Sequence, residues 1–249
     1  MKLRVLISEY PNDPYLNVAI DEALFAYNSI VLRLWRNSTS VVLGVLSKVK
    51  DEVNIEVTNQ LGIPVIRRIT GGGTVYHDMG NFNYTVIVEN KDVKVKGIDF
   101  LYGFLLKGTI NAVEHIIGDR VEIYNQTDIA YKHYKISGNA GYISNGKYLL
   151  HGTLLINSNL DLLHKTLIIP PKTLRNKEIN MIKYRVNNLS SLLGRDIRLD
   201  LIISSFTKAF EEILNVDSYV DEITKNESEL ASVLVRDKYT NPNYIFKIK

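Results

Sequence analysis

The sequence has no cysteine. Disulfide cross-links, cysteine-ligated zinc, dithiol redox chemistry and a thiol nucleophile are thereby excluded. Long apolar runs are missing too: none approaches the roughly 18–20 residues that cross a bilayer. The opening MKLRVLISEYPNDP has too short an apolar stretch for a signal peptide and no small-residue cleavage site. A soluble, cytoplasmic protein with no membrane partner is the expectation. An excess of one charge is also lacking, since 30 Lys+Arg stand against 27 Asp+Glu. Lys132–Lys135 is the one notable basic cluster, so nucleic acid is not an expected partner. Internal repeats and low-complexity tracts are absent, and no Ser/Gly/Pro-rich linker divides the first 215 residues.

What remains is a chain of 249 residues, 45% hydrophobic, long enough for one large core. Leu3–Ser8 reads as a strand, followed by a turn at Pro11–Pro14. Apolar residues at helical spacing from Leu16 to Tyr27 predict an amphipathic helix over Tyr15–Tyr27. Val31–Trp35 and Val41–Leu46 are expected to be paired strands around the polar turn Asn37-Ser38-Thr39. A helix is predicted for Glu52–Leu61, ended by Gly62 with Pro64 beyond it. Val65–Arg68 and Tyr84–Val88 read as strands, Phe100–Ile117 as a helix stopped by Gly118, and Leu199–Leu214 as a last helix. Asn145-Gly146 predicts a tight turn between strands near 135–143 and 147–156. Strands and helices intermix without regular β-α-β alternation, which predicts an α+β fold rather than a doubly wound sheet.

The densest stretch for chemistry is Arg67-Arg68-Ile69-Thr70-Gly71-Gly72-Gly73-Thr74-Val75-Tyr76-His77-Asp78. Three glycines without β-carbons let the backbone take positive φ and approach a ligand closely. Successive amide groups in such a turn form an anion-binding concavity, and the two arginines supply donor forks for phosphate or carboxylate. A triple glycine alone is as readily a flexible turn; the flanking Arg-Arg and His-Asp favour a site for an anionic, phosphate-bearing ligand. It is neither a Walker loop nor a G-x-G-x-x-G dinucleotide turn. The second stretch is Lys135-Ile136-Ser137-Gly138-Asn139-Ala140, followed after the hairpin by His151-Gly152-Thr153-Leu154-Leu155. Alternation puts Lys135 and Ser137 on one face of a strand, where the lysine is either an ordinary exposed side chain or a positioned cation. His151, His115 and His164 receive structural readings, and no histidine pairs with a nucleophilic serine or a metal-binding carboxylate.

Arg67–Asp78 with Gly80-Asn81, then Lys135–Ala140, then His151–Leu155, resembles the signature set of lipoate–protein ligases. Asp13–Leu24 is similar to that family's first helix, and Leu34–Asn37, Val41–Gly44 and Glu52–Asn54 to the segments that follow, so the resemblance covers residues 3–215 in order. It implies the fold shared with biotin–protein ligases and class II tRNA synthetase catalytic domains. The implied reaction activates lipoate with ATP and magnesium to lipoyl-AMP. The lipoyl group then passes to a lysine of a lipoyl-carrier domain, in a 2-oxoacid dehydrogenase acyltransferase subunit or the glycine-cleavage H protein. No tightly bound cofactor is expected.

By the same resemblance, Lys135 is the catalytic residue. The ligand-binding set is Arg67, Gly71, Gly72, Gly73, Thr74, Val75, His77, Asn81, Asp128, Lys135, Ser137, Gly138, Ala140, His151, Gly152 and Thr153, with Asp128 near the adenine. The sequence departs from the family pattern after Gly44, reading Val45-Leu46-Ser47-Lys48 where an arginine and then Gln-Asn are usual. Acyl transferases of the same fold that work through a cysteine thioester are excluded by composition. Ligases for octanoate or biotin, and a non-catalytic module that binds lipoyl domains, are the alternatives. Residues 1–215 are expected to form the adenylating domain and 216–249 an extension too short for the accessory domain many relatives carry. A separate small accessory subunit is therefore an expected partner.

Overall fold

In the computed structural model, which describes residues 2–10, 12–27, 29–89, 96–168 and 185–248, burial decides the architecture. Continuous apolar runs become central strands and amphipathic helices cover them. The strands are β1 Leu3–Ile7, β2 Ile30–Arg36, β3 Ser40–Leu43, β4 Val65–Arg67, β5 Val75–His77, β6 Asn81–Glu89, β7 Glu122–Tyr124, β8 Asp128–Tyr131, β9 Tyr134–Ser144, β10 Lys147–Leu155 and β11 Ser218–Asp221. Eight of them form one sheet in the order β11-β1-β2-β6-β10-β9-β8-β7, and the other three form a small sheet, β4-β3-β5. β11, β1 and β2 run parallel, and from β2 to β7 every pairing in the large sheet is antiparallel. The expected α+β fold is the one observed.

The α-helices among the described residues are α1 Pro14–Tyr27, α2 Val49–Glu52, α3 Ile55–Gln60, α4 Leu106–Ile117, α5 Leu160–Thr166, α6 Leu189–Leu193, α7 Leu199–Leu214, α8 Lys225–Leu234 and α9 Pro242–Ile245. One face of the large sheet buries Leu32, Leu34, Tyr84, Val86 and Leu150 against α4 and α7, through Val113, Phe206 and Phe210. The other face packs Val31, Ile87 and Leu149 against α1 and α8, through Ile20, Leu24 and Ala231. A third cluster under the small sheet joins Val41, Leu43, Val49, Val53, Ile63, Val65 and Ile245.

Several expectations are corrected. β2 and β3 are not a hairpin: they enter different sheets, because Asn37 is a fully buried corner rather than a solvated turn. Its side chain accepts from Asn17 Nδ2 (3.0 Å) and donates to Ser40 Oγ (3.2 Å), sending the chain out of one sheet into the other. The helix expected over Glu52–Leu61 is broken after Glu52. Val53 takes extended geometry and bridges to Leu167, and Asn54 caps α3 by accepting from Val57 N. The helix expected from Phe100 is π-wound over Asp99–Leu105 before α4 continues to the left-handed cap Gly118. The turn at Pro11–Pro14 begins outside the described residues.

The chain beyond residue 215 supplies β11 to the sheet edge and α8 against α1. Arg4 on β1 fastens this region by donating to Asp221 (2.7 Å) and to Glu227 (2.6 Å). Asn145 and Gly146, both at positive φ, make the predicted tight turn between β9 and β10.

Candidate functional site

The glycine turn joins β4 to β5, and Gly72 has the positive φ (80°) that its sequence position calls for. Arg68, buried beneath the turn, shapes it. Its guanidinium donates to Gly71 O (2.5 Å) and Gly73 O (2.9 Å), to Val42 O (3.0 Å) and to Thr70 Oγ1 (2.7 Å). Burial pulls this arginine down to about 10. Glu52, at the end of α2, holds the far side: its carboxylate accepts from Thr74 N (2.7 Å) and Thr74 Oγ1 (2.6 Å).

A cavity of about 320 Å³ opens between this turn and the large sheet. Its apolar wall includes Val18, Trp35, Val42, Tyr84, Leu149 and Tyr239, and its mouth includes Gly72, Gly73, Asp128, Lys135 and Ala140. A second cavity, of about 280 Å³, lies on the other side of Thr74 and Val75, walled by Asn81, Ser137, Leu155, Leu163, His164 and Ile168. Thr74, Val75, Lys135, Gly138 and Thr153 line both.

Lys135 is at this junction because of β9. A register shift against β8 places Lys135 opposite Ala130 while Ser137 stays opposite Ile129. Ile136 between them goes to the core, and Lys135 and Ser137 share the second cavity as alternation predicts. The Lys135 ammonium lies 2.6 Å from Asp128 Oδ1.

The floor of the first cavity carries a chain of polar groups. Arg33, fully buried, donates to Asp21 Oδ1 (2.9 Å), and Thr85 donates to Asp21 Oδ2 (2.8 Å). His151 Nδ1 lies 3.1 Å from the same Oδ2 and its Nε2 lies 2.7 Å from Thr70 Oγ1. Since Asp21 is acceptor-only, Nδ1 carries the proton and Nε2 accepts from Thr70. Burial works to raise the Asp21 carboxyl, but the His151 hydrogen bond and the Arg33 charge outweigh it and hold it below its usual value. Burial lowers His151, against the pull of Asp21. His77 sits deeper, with Nδ1 facing Asn37 Nδ2 (3.3 Å) and Nε2 without a protein partner. Burial pulls it to about 3.

Of the residues the resemblance points to, Gly72, Gly73, Thr74, Val75, His77, Asp128, Lys135, Gly138, Ala140, His151, Gly152 and Thr153 line the first cavity. Asn81 and Ser137 line the second. Arg67 and Gly71 line neither. Arg67 points away from the turn and is bound up by backbone carbonyls, while its neighbour Arg68 is the arginine at the cavity wall. His164, read from sequence as structural, is in the wall of the second cavity. Asp21, Trp35, Glu52, Asn139 and Tyr239 are cavity residues that the sequence does not single out, although Asn139 lies within the Lys135–Ala140 stretch. Among the described residues no group of three or more His, Cys, Asp or Glu is gathered to hold a metal ion. No helix among them is long and apolar enough to cross a membrane.

The chain is similar over 98% of its length, at 29% identity, to lipoate-protein ligase A subunit 1 of Thermoplasma acidophilum, of which the match covers 96%. It is 34% identical, over 73% of its length, to a putative lipoate-protein ligase A of Aeropyrum pernix, of which 68% is covered. Its fold superposes with TM-score 0.86 and 28% identity on a chain of a bi-partite lipoate protein ligase from Thermoplasma acidophilum, covering 100% of this chain and 98% of that one. A lipoate-protein ligase A bound with ATP superposes with TM-score 0.87 at 27% identity, each chain being covered in full. The family profile described as lipoyl protein ligase A/B catalytic domain matches residues 13–211. With that match spanning the first helix, the glycine turn and the lysine strand, the chain belongs to the lipoyl protein ligase A/B catalytic-domain family.

Proposed function

We propose that this chain is an ATP-dependent lipoate–protein ligase working through an acyl-adenylate. In the first step a lipoate carboxylate oxygen attacks the α-phosphorus of ATP, and the bond to pyrophosphate breaks, leaving lipoyl-AMP. In the second, the amine of a carrier-domain lysine attacks the acyl carbon; the bond to AMP breaks and the amine loses its proton. The two cavities that meet at Lys135 offer separate room for the acyl chain and for the nucleotide. Magnesium enters as part of the substrate MgATP.

The observation that carries this reading is the Lys135 ammonium at the junction of the two cavities, the first of which Gly72 and Gly73 also line. Bringing a carboxylate to a phosphate opposes two anions, so a fixed cation and oriented amides where charge develops are the chief catalytic need. The walls of the first cavity shield an acyl anhydride from water. The bi-partite ligase of Thermoplasma acidophilum, whose structure includes its E2 lipoyl domain, supports a carrier domain as acceptor and a separate accessory subunit as partner. Lipoate-dependent exchange of labelled pyrophosphate into ATP tests the reading. Exchange with lipoate, by the chain alone or together with an accessory subunit, is the expected result; no exchange under either condition, or exchange with biotin alone, overturns it.

A further inference from the structure

Arg67 is fully buried, yet its hydrogen bonds go to main-chain carbonyls and not to a carboxylate. It donates through Nε to Ile245 O (2.7 Å), and through Nη1 to Gly44 O (2.8 Å), Ser47 O (2.9 Å) and, more weakly, Val45 O (3.3 Å). A buried guanidinium is unfavourable unless its donors are matched. Here Nε and Nη1 are matched, Nη2 is buried with no acceptor among the described residues, and the acceptors come from two segments distant in sequence. The geometry points to Arg67 as a positioning residue, one that makes the seating of the C-terminal segment 242–248 set the shape of the glycine turn.

At one end of this linkage, the C-terminal segment is built into the fold. The Ile245 side chain is in the core cluster under the small sheet, Asn241 caps α9 by accepting from Asn243 N, and Ile248 O faces Val49 N at 3.5 Å. At the other end, loop 44–47 lies directly behind the turn. A β-carbon at Gly44 would stand 2.0 Å from Gly72 O, so the two backbones are in contact as only glycine permits. Val45 N donates to Thr70 O (2.8 Å). Ser47 Oγ donates to Glu52 (3.0 Å), the carboxylate that holds Thr74. Loop 44–47 thus grips the turn at Thr70, Gly72 and, through Glu52, Thr74. Arg67 grips the loop and the C-terminal segment together while lining neither cavity. The inference deepens the proposed adenylation and rests on it for its kinetic consequence alone.

The test uses the full chain with Arg67→Lys, Arg67→Met and, from the other end, Ile245→Ala. Pyrophosphate exchange gives KM for ATP and for lipoate, and hydrogen exchange gives protection of peptides 70–74, 81–89 and 147–155. Weaker pre-organisation of the turn is expected to raise KM for ATP at least fivefold in Arg67→Met and Ile245→Ala. KM for lipoate and kcat should stay within twofold to threefold, and exchange should quicken at 70–74 but not in β6 or β10. Arg67→Lys, which keeps the charge but loses the fork, should fall between. If Arg67→Met loses protection throughout β6 and β10, Arg67→Lys and Ile245→Ala decide. Unchanged KM for ATP and unchanged exchange at 70–74 in those two overturn the proposal. Should the native chain show no lipoate-dependent exchange, with or without an accessory subunit, the adenylation reading fails while hydrogen exchange still decides the coupling.

Discussion

Lys135 Nζ stands 2.6 Å from Asp128 Oδ1, an ion pair across the β8–β9 ladder at the point where two cavities meet. The carboxylate fixes where a flexible side chain ends. A β-carbon on Gly138 would lie 3.0 Å from that Nζ, so the strand passes close behind the ammonium. Lys135→Ala should lower lipoate-dependent pyrophosphate exchange at least about 100-fold, equivalent to about 3 kcal/mol of transition-state stabilisation. Arg at this position should not rescue it, because a planar fork is too bulky for the site. The far-UV spectrum should be unaltered, and exchange near the native rate in Lys135→Ala would remove the lysine from the mechanism.

Gly72→Val tests the turn by sterics. At φ 80° a β-branched residue is strained by about 1–2 kcal/mol. The new side chain would also meet Arg68 Nη2 at 3.1 Å and Ala140 Cβ at 3.4 Å. Displacing Arg68 undoes its bonds to the carbonyls of Gly71 and Gly73. Calorimetric binding of a non-hydrolysable lipoyl-AMP analogue should weaken at least tenfold, with cooperative unfolding retained; unchanged binding would make the loop a mere turn.

The sequence made the strand of Lys135 legible because hydrophobic alternation survives the bulge at Ile136, and it made the glycine turn legible because Gly72 takes a positive φ that favours glycine. Asp21 and Glu52 were illegible for the opposite reason. Each sits in a helix as an ordinary acidic residue, and its importance comes from partners such as His151 and Thr74 that only the tertiary fold supplies. Arg67 and Arg68 are adjacent and chemically identical, so composition cannot rank them. Strand alternation sends one to the cavity and the other to the carbonyls of loop 44–47. The β2–β3 pairing failed because Asn37 looks like a solvated turn residue, whereas burial satisfies its amide among side chains.

Stability should fall with acid, and His77 gives the sign. Burial first, then the charge of Arg68, pulls its imidazole to about 3, against about 6.5 in an unfolded chain. Between those values the unfolded chain takes up a proton that the folded one excludes. The stabilisation is therefore complete above about pH 6.5 and declines as pH falls, by about 1.4 kcal/mol per pH unit. His151, lowered in the same direction by burial, adds to the slope. Denaturant melts at pH 7 and pH 5 should differ by about 2 kcal/mol on account of His77 alone. His77→Gln should flatten the dependence, and an equal slope in that variant would refute the assignment.

Removal of Asp21 should be costly in a way that separates fold from chemistry. Its carboxylate is buried with Arg33 on one oxygen and with Thr85 and His151 on the other. Asp21→Ala leaves the fully buried Arg33 guanidinium without its ion pair, for which about 3–5 kcal/mol is the expected loss. Asp21→Asn keeps the shape and should lose less. Equal stability of the Ala variant and the native chain in chemical denaturation would contradict the buried pairing.

The last prediction concerns transfer to the carrier. In this chain the amide and hydroxyl of Thr74, donors that a phosphate needs, are both taken by the Glu52 carboxylate. Nucleotide binding then has to displace an anion from the turn, and closure around the acyl-adenylate needs a compensating contact. On the proposed function, that contact would come from a separate accessory subunit. The purified chain should therefore lipoylate a carrier domain slowly by itself, and at least tenfold faster with a small accessory subunit. Glu52→Ala should narrow that gap by freeing Thr74, although the looser turn will lower the ceiling. Single-turnover transfer followed by the mass of the carrier domain measures both effects. Full-rate lipoylation by the chain alone, unaffected by any second protein, would show that the turn opens for ATP unaided.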